Sequence, residues 1–305
     1  MKKSIKNLIF VGYSGGLDST VLLYLTNIIF KKNIYILFAI HINHNININN
    51  MLWEKHCIQS CKEKKITILI FRIKLNKNFN LEKKSRNLRF EIYNKIIPNY
   101  SSLLLAHHND DQSETIFFKL IKGINYLSKI YGMKKKIKFK KMYILKPLLN
   151  IKKFFIKLYA YKKNLLWIND NSNNNNYYDR NFIRNLIIPI IKTRWVFINK
   201  SINEIKNHFI NNNLFFINLI KKHYIKALIK KHNIISIKYL LNLSIFFRVE
   251  IIKYWIFKNK ITLKSNKYLI TINNTFINSK INFHIIPLIS QYKILKYFNK
   301  LHIIK

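Results

Sequence analysis

The sequence has few cysteines and no long apolar run, and both shortages restrict what the protein can be. Its two cysteines, Cys57 and Cys61, are spaced C-x3-C with no further ligand nearby, which favours reduced thiols over a metal site and predicts a cytoplasmic protein. Lys, Asn or His interrupts every apolar run before the ~18 residues that a membrane span needs. We therefore expect no membrane association, and the short apolar N-terminal stretch predicts no targeting segment.

Acidic residues are also scarce. Twelve Asp and Glu stand against 55 Lys and Arg, which gives a formal net charge of +43 and favours a polyanionic partner such as a nucleic acid. Lys, Asn and Ile are abundant everywhere, as in proteins from AT-biased genomes, so part of the lysine excess is compositional. The same bias makes rare residues informative: four of the seven arginines form two close pairs, and three of the acids cluster as Asp110, Asp111 and Glu114.

Glycine is the most informative shortage. Three of the five glycines lie within five residues, in LIFVGYSGGLDSTVLLYL at residues 8–25. A glycine pair between a buried strand and a helix lets the backbone approach a ligand closely, and the helix N-terminus that follows offers N–H groups to a phosphate. Ser14 and Ser19 can add hydroxyl donors, and Asp18 can hold Mg²⁺ bound to a pyrophosphate. The loop matches neither the Walker A nor the G-x-G-x-x-G spacing.

Strand-like and helix-like segments alternate over the first 160 residues. This alternation predicts an α/β fold with a parallel sheet, whose ligands bind beyond the carboxyl ends of the strands. Residues 134–141 are interpreted as a basic connector and 169–181 as a polar surface loop. We expect domains at 1–198 and 199–305, the second smaller and mainly helical. The predicted strands are 7–13, 34–43, 66–75 and 101–108, and the helices 18–31, 51–64, 81–96, 110–122 and 150–164.

The stretch SGGLDS resembles the PP-loop of the ATP pyrophosphatases, although a tight turn that happens to use glycine is the alternative. Further motifs follow in order: HINH (41–44), LEKKSRNLRFEIY (81–93), LLLAHHNDDQSETIFFKLIKG (103–123), KPLL (146–149), WINDNSNN (167–174) and YDRNFIRNLIIP (178–189). Together they resemble the tRNA(Ile)-lysidine synthetase family over about residues 8–190. A weaker resemblance continues into 243–260 and 292–305, and the additional C-terminal domain of longer members is expected to be missing.

The resemblance implies a Rossmann-like PP-loop domain, similar to adenine nucleotide alpha hydrolases, and a specific reaction. Members use ATP to adenylate O2 of the wobble cytidine in isoleucine tRNA with a CAU anticodon. The ε-amine of free L-lysine then attacks C2 and expels AMP, so the resulting lysidine changes codon reading from AUG to AUA. The implied cofactors are ATP and Mg²⁺, and the implied partners are that tRNA and L-lysine. A homodimer is left open.

The resemblance also assigns candidate roles to residues, each with a structural alternative. The acids could only cap a helix, the histidines could be solvated or buried in the core, and the arginine pairs could bind Glu82 or Asp179. His44 and His108 accompany the candidates in their motifs. The ATP-binding candidates are Ser14, Gly15, Gly16, Leu17, Asp18, Ser19 and His41; the catalytic and lysine-binding candidates are Asp18, His107, Asp111 and Glu114; the pocket and tRNA candidates are Arg86, Arg89, Arg180 and Arg184; the Mg²⁺ candidate is Asp18.

Several positions depart from the family pattern. Ser85 and Phe90 replace Ala and Tyr, Lys122 replaces Arg before Gly123, and the usual Gly-Leu-Arg after His44 is absent. These changes concern the positioning of tRNA more than the central chemistry. A PP-loop tRNA thiolase is one alternative, although the C-x3-C spacing does not fit its usual C-x-x-C pairs. A decayed, non-catalytic tRNA-binding protein is the other, but it would have no need for Ser14, Asp18, Asp111 and Glu114 together.

Overall fold

The computed structural model describes residues 7–30, 35–43, 50–73, 81–122, 132–170, 174–229, 234–259, 261, 267–277, 279, 281–289 and 292–304. Contacts within the chain divide it into two compact units, Met1–Phe209 and Ile210–Lys305. The division lies somewhat beyond the predicted boundary at 198/199, within one long helix. In the described part of the chain, no helix combines the length and apolarity that crossing a membrane requires.

The first unit is built on a six-stranded sheet, which confirms the α/β prediction. Its strands are β1 Asn7–Gly12, β2 Tyr35–Asn43, β3 Thr67–Arg72, β4 Ser102–Leu104, β5 Lys136–Phe139 and β6 Met142–Leu145. The strand order β3-β2-β1-β4-β6-β5 places β1 between β2 and β4, and every neighbouring pair is parallel except β5 with β6. The chain runs from β1 through β2 to β3 on one side of β1 and then crosses back to β4 on the other side, so a crevice forms beyond the carboxyl ends of β1 and β4.

Helices cover both faces of this sheet because its strands are apolar on both sides. Val11 packs with Leu22 and Ile156 on one face, while Phe10 packs with Ile40 and Ile97 on the other. Burial of this apolar surface is the main stabilising contribution to the unit. The helices are α1 Leu17–Phe30, α2 Asn50–Glu63, α3 Leu81–Ile96, α4 Asn109–Ile121, α5 Lys153–Lys162, α6 Asp179–Phe182, α7 Ile188–Arg194 and α8 Ile198–Ala227, with a π-helical segment at Ile183–Ile187.

One interpretation of this unit was wrong and another needs a shorter range. The segment interpreted as a basic connector at 134–141 contains β5 and the turn into β6, where Ile137 pairs with Ile144. Alternating lysines keep this edge strand soluble, which is why it resembles a charged linker in sequence. The surface loop predicted at 169–181 is confirmed at residues 174–178 but ends three residues earlier than expected, because α6 begins at Asp179 and leads directly into the π-helical segment.

The second unit combines helices with a five-stranded antiparallel sheet. The helices were expected, but the sheet was not; its strands, numbered along the chain, lie in the order seventh, eighth, eleventh, tenth and ninth. Trp255 is fully buried and packs in a core with Ile252, Phe276 and Leu301. The elements after α8 are β7 Leu228–Ile229, β8 Ile234–Ser236, α9 Ile237–Leu241, α10 Ile245–Lys258, α11 Lys267–Ile272, a π-helical segment Asn273–Ile277, β9 Phe283–Ile289, β10 Tyr292–Tyr297 and β11 Lys300–Ile304.

Candidate active site

The glycine loop joins β1 to α1 at the crevice and is held closed by its two serines. Ser14 N donates to Ser19 Oγ (3.2 Å), and Ser19 Oγ lies 3.0 Å from Ser14 Oγ and donates to Gly16 O at 3.0 Å. The first N–H groups of a helix have no partner within the helix, so the start of α1 at Leu17 presents donors to the same crevice. The loop is therefore shaped to receive an anion such as a phosphate.

Gly15 is the position where the loop requires glycine. Its φ is +81°, and a Cβ there would lie 2.9 Å from Cys57 Sγ on α2. His41 supports the loop from the same side, because its Nδ1 donates to Tyr13 O at 3.0 Å and lies 3.4 Å from Cys57 Sγ. His41 is buried, and burial lowers its pKa. The structure thus places His41 beneath the loop; His44 lies outside the described residues.

His108 connects the loop to the acidic cluster. It caps α4 in a reciprocal arrangement, in which Asp111 N donates to His108 Nδ1 (3.3 Å) and His108 N donates to Asp111 Oδ2 (2.9 Å). Its Nε2 lies 3.6 Å from Asp18 Oδ2. The sequence predicts an ATP or cytidine contact for His108 together with His107, but not a cap; its position just before Asn-Asp-Asp at a helix start was the signal for a cap.

Asp111 and Glu114 both bind the second arginine pair. Arg184 donates through Nε to Glu114 Oε1 at 2.6 Å and through Nη2 to Asp111 Oδ1 at 2.7 Å. Arg180 lies slightly further away, with Nη2 3.2 Å from Asp111 Oδ1 and Nε 3.3 Å from Glu114 Oε2. Asp179, the alternative partner, instead binds Lys122 at 2.8 Å. The two acids therefore cap or line α4 and also hold both arginines at the crevice.

The protonation of this cluster follows from the charges around it. Burial raises the pKa of Asp111, but the charges of Arg180 and Arg184 and the hydrogen bond from His108 N outweigh burial and bring the pKa below its usual value. Burial lowers the pKa of Arg184, but its hydrogen bonds to Glu114 outweigh that effect and raise the pKa. Asp111 therefore stays ionised and Arg184 stays protonated near neutral pH.

A basic rim, consisting of Arg86 and Lys146, lies next to this cluster, and His107 lies beside it. Burial lowers the pKa of His107 to about 3, although the charge of Asp111 acts in the opposite direction, and His107 Nδ1 is buried without a hydrogen-bond partner in the described structure. Burial and the charge of Arg86 lower the pKa of Lys146 to about 8. Lys146 was missed as a candidate; its signal was the KPLL motif directly after β6.

The two arginines of the first pair, Arg86 and Arg89, lie in different surroundings. Arg86 acts electrostatically on both His107 and Lys146, which places it at the basic rim, and its Cζ lies 5.8 Å from the ring centre of Phe90. Arg89 is exposed and lies beside Tyr93. The side chain of Glu82, their alternative partner, lies outside the described residues. Only Arg86 of this pair is placed with the other candidates.

Asp18 is the residue best suited to bind a cation. Its Oδ1 is buried and has no hydrogen-bond partner in the described part of the structure, and burial raises its pKa despite the opposing charges of Lys153 and Arg184. Mg²⁺ prefers carboxylate oxygens and commonly takes only one or two from the protein, completing its shell with water and phosphate. No group of three or more His, Cys, Asp or Glu side chains suited to a metal occurs among the described residues. One carboxylate with a free oxygen fits a Mg²⁺ ion that arrives with a nucleotide.

The chain is similar in sequence to known PP-loop proteins. A family model for the PP-loop domain matches residues 1–191. The tRNA(Ile)-lysidine synthase of Buchnera aphidicola subsp. Acyrthosiphon pisum is 36% identical, over 97% of this chain and 67% of that protein. The tRNA(Ile)-lysidine synthase of Wigglesworthia glossinidia brevipalpis is 34% identical, over 94% of this chain and 78% of that protein.

A solved structure shares the fold. The U34-tRNA thiolase NcsA from Methanococcus maripaludis, determined with its 4Fe-4S cluster, superposes with a TM-score of 0.54. The superposition covers 66% of this chain and 72% of that one, at 21% sequence identity. At this level of identity the likeness concerns the arrangement of the backbone alone.

Proposed function

The chain belongs to the tRNA(Ile)-lysidine synthase family of PP-loop enzymes, and from that membership we propose that it ligates L-lysine to C2 of the wobble cytidine in CAU-anticodon isoleucine tRNA. The reaction consumes ATP, passes through a tRNA adenylated on cytidine O2, and releases AMP and diphosphate. The product changes codon reading from AUG to AUA. The same proposal includes a cytoplasmic location, because tRNA and ATP are found there.

One observation carries the proposal: an anion-binding loop, an aspartate with an unpartnered oxygen and an acid–arginine cluster meet at one crevice. Asp18 lies 3.6 Å from His108, and His108 caps the helix that carries Asp111 and Glu114. A ligase of this type must bind a triphosphate, a nucleobase and a cationic amine side by side. The crevice combines hydrogen-bond donors, hydrogen-bond acceptors and side chains of both charges, and these residues contact one another.

Nucleotide binding is assigned to the loop. Backbone N–H groups at Gly15 and Leu17 would face the phosphates directly. Gly16 N and the hydroxyls of Ser14 and Ser19 hydrogen-bond within the loop and would exchange those bonds for bonds to phosphate oxygens. His41 keeps the loop in place through its bond to Tyr13 O. Mg²⁺, held by Asp18 when bound, would neutralise charge on the departing pyrophosphate. The positive start of α1 would stabilise the same charge.

Activation of the cytidine requires cationic groups around its O2 and around the α-phosphate. Cytosine O2 is a poor leaving group until it is adenylated, and adenylation places negative charge next to the base. Arg180 and Arg184, fixed in direction by Asp111 and Glu114, can donate to that phosphate in the bidentate way typical of guanidinium groups. Arg86 and Arg89 on α3 would contact the tRNA further from the reacting atoms.

Lysine binding is assigned to Asp111 and Glu114, in competition with their arginines. A substrate ammonium can share the carboxylate oxygens, and one carboxylate can accept the proton that the ε-amine loses before attack. His107 is neutral near pH 7 because of its low pKa, so its ring can hydrogen-bond to the base or the amine without adding positive charge. With this assignment, the activated cytidine and the lysine amine would lie on either side of the start of α4.

The test is product analysis. The protein is incubated with CAU-anticodon isoleucine tRNA, ATP, Mg²⁺ and labelled L-lysine, and the tRNA is digested to nucleosides. We expect labelled lysidine and one AMP for each lysine incorporated. AMP release that depends on a sulfur donor instead would show a thiolase. ATP binding or tRNA binding without AMP release under either condition would show a protein that has lost catalysis.

A further inference from the structure

We infer that the outward face of α5 is a docking surface for single-stranded RNA adjoining the modified base. The surface, here called the α5 face, consists of Phe154, Phe155, Leu158 and Tyr161. The choice of RNA as the occupant rests on the proposed function, whereas the surface itself is defined by exposure, charge and position.

The α5 face is unusually apolar for an exposed helix surface. The exposed fractions are 64% for Phe154, 56% for Phe155, 48% for Leu158 and 56% for Tyr161. On the opposite side of the helix, Ile156 and Ala160 are buried in the core. The helix is therefore packed against the core without help from the exposed aromatic residues. Contiguous exposed aromatic residues are typical of interaction sites rather than of free surface.

The aromatic rings lie among lysines with no acid between them. The segment KKFFIKLYAYKK, at 152–163, carries five lysines, and Lys157 Nζ lies 5.7 Å from the ring centre of Tyr161. Alternating cations and ring faces suit single-stranded nucleic acid, because phosphates bind the cations while bases stack on the rings. A second copy of this chain would bring its own positive charge to the same surface, and the +43 net charge opposes that contact.

The position of α5 connects this face to the candidate active site. Lys153 N, at the start of α5, donates to Asp110 Oδ2 at 2.9 Å, and Lys153 acts electrostatically on Asp18. Phe154 is therefore one residue from a contact with the first turn of α4. An anticodon loop is single-stranded, so when its wobble base enters the crevice the neighbouring bases can be unstacked and bound by rings just outside.

The experiment measures binding of an oligoribonucleotide with a CAU anticodon-loop sequence to the full chain, without ATP or lysine. We expect the variant with Phe154→Ala and Phe155→Ala to bind about five- to fiftyfold more weakly, since each stacked base contributes substantially. The salt dependence should keep its slope because no charge is removed. Lys157→Gln should instead reduce the slope by up to about 0.7, the value for one phosphate contact in a single strand.

Three controls define the outcomes. Tyr100→Ala, at an 81%-exposed aromatic just before β4 and hence at the amino end of the strands, should leave RNA affinity unchanged. Phe155→Leu keeps an apolar side chain but removes the ring, so a loss of affinity in this variant identifies stacking. Sedimentation of each variant reports self-association.

Unchanged RNA affinity in the double alanine variant overturns the inference. A change in oligomeric mass with unchanged RNA affinity overturns it too, and assigns the face to a second copy. These results are independent of the reaction: RNA binding that depends on the α5 face without lysidine formation refutes only the proposed function. Lysidine formation with an RNA affinity insensitive to the α5 face refutes only the present inference.

Discussion

Glu114→Gln is the most informative single substitution at the acid–arginine cluster. Glu114 is 3% exposed and accepts from Arg184 Nε and Nη2 at 2.6 and 2.7 Å and from Arg180 Nε at 3.3 Å. The amide keeps one accepting oxygen but carries no charge, so Arg184 keeps an ion pair only with Asp111. The substitution should therefore change both the stability of the site and its affinity for a cationic substrate.

The loss of stability in Glu114→Gln depends on how exposed its two arginine partners are. Removing one member of a buried ion pair costs about 3–5 kcal/mol. The side chains of Arg180 and Arg184 are 29% and 26% exposed, and water offsets part of the lost charge, so we expect about 2–3 kcal/mol. For a unit of this size, that corresponds to a fall in Tm of about 4–12 °C.

The functional effect is measured by lysine titration at saturating ATP and tRNA. A charge-assisted hydrogen bond contributes about 1.5–3 kcal/mol, so apparent lysine affinity should fall about ten- to a hundredfold, with a much smaller change in ATP affinity. Adding Arg184→Gln should restore most of the stability, because no unpaired charge remains, but it should not restore lysine affinity. Asp110→Asn on the same helix turn is the control, since its carboxylate contacts Lys153 N and Asn199 rather than the arginines.

Unchanged lysine dependence in Glu114→Gln and in the matching Asp111→Asn would refute the assignment. The acids would then serve only to cap α4 and hold the arginines, and the lysine site would lie elsewhere. An unchanged Tm in Glu114→Gln would contradict the ion-pair geometry itself.

Four further predictions concern the loop, the charge and the sheet edge. Asp18→Asn should keep the fold, measured by circular dichroism, but abolish AMP formation, and normal turnover would rule out its role with Mg²⁺. Gly15→Ala should cost about 1–2 kcal/mol from its positive φ alone, and Cys57→Ala should relieve the added contact but not the φ strain in a double-mutant cycle of unfolding. The logarithm of tRNA affinity should fall linearly with log salt, whereas a flat response would mean that the positive charge is only compositional. The Arg72 hydrogen bond lowers the pKa of Glu54 from 4.5 to about 2, so its stabilising contribution is complete above pH 4.5 and is lost as pH falls towards 2; unfolding by urea should show this pH dependence weakened in Arg72→Gln.

The catalytic half of the fold could be predicted because its signals are local. The strand, glycine loop and helix at residues 7–30 follow one another in the sequence, and the acids at the start of α4 mark a helix N-terminus. The alternation of elements then fixes a parallel sheet, and a parallel sheet fixes which strand ends share an edge. These inferences need no knowledge of distant contacts.

The remaining features depend on pairing between distant segments. Arg184 meets Glu114 across 70 positions of sequence, and no local pattern distinguishes that partner from Asp179 nearby. The strands of the second unit are short and rich in Lys and Ile, and Lys293–Tyr297 acquires its strand character by pairing with both β9 and β11. Strand propensity of this kind depends on neighbours, so a biased composition conceals it.

The packing of Cys57 against Gly15 makes the thiol a reporter of loop opening. Burial raises the pKa of Cys57 far above its usual range, and the side chain is fully buried, so a thiol reagent reaches it only when α2 and the loop separate. The rate of alkylation then measures how often this local opening occurs. A nucleotide that binds only the closed loop slows alkylation in proportion to its occupancy, about a hundredfold at a concentration 100 times its Kd. Nucleotide affinity could thus be read by mass spectrometry from an unlabelled chain, without turnover and without tRNA.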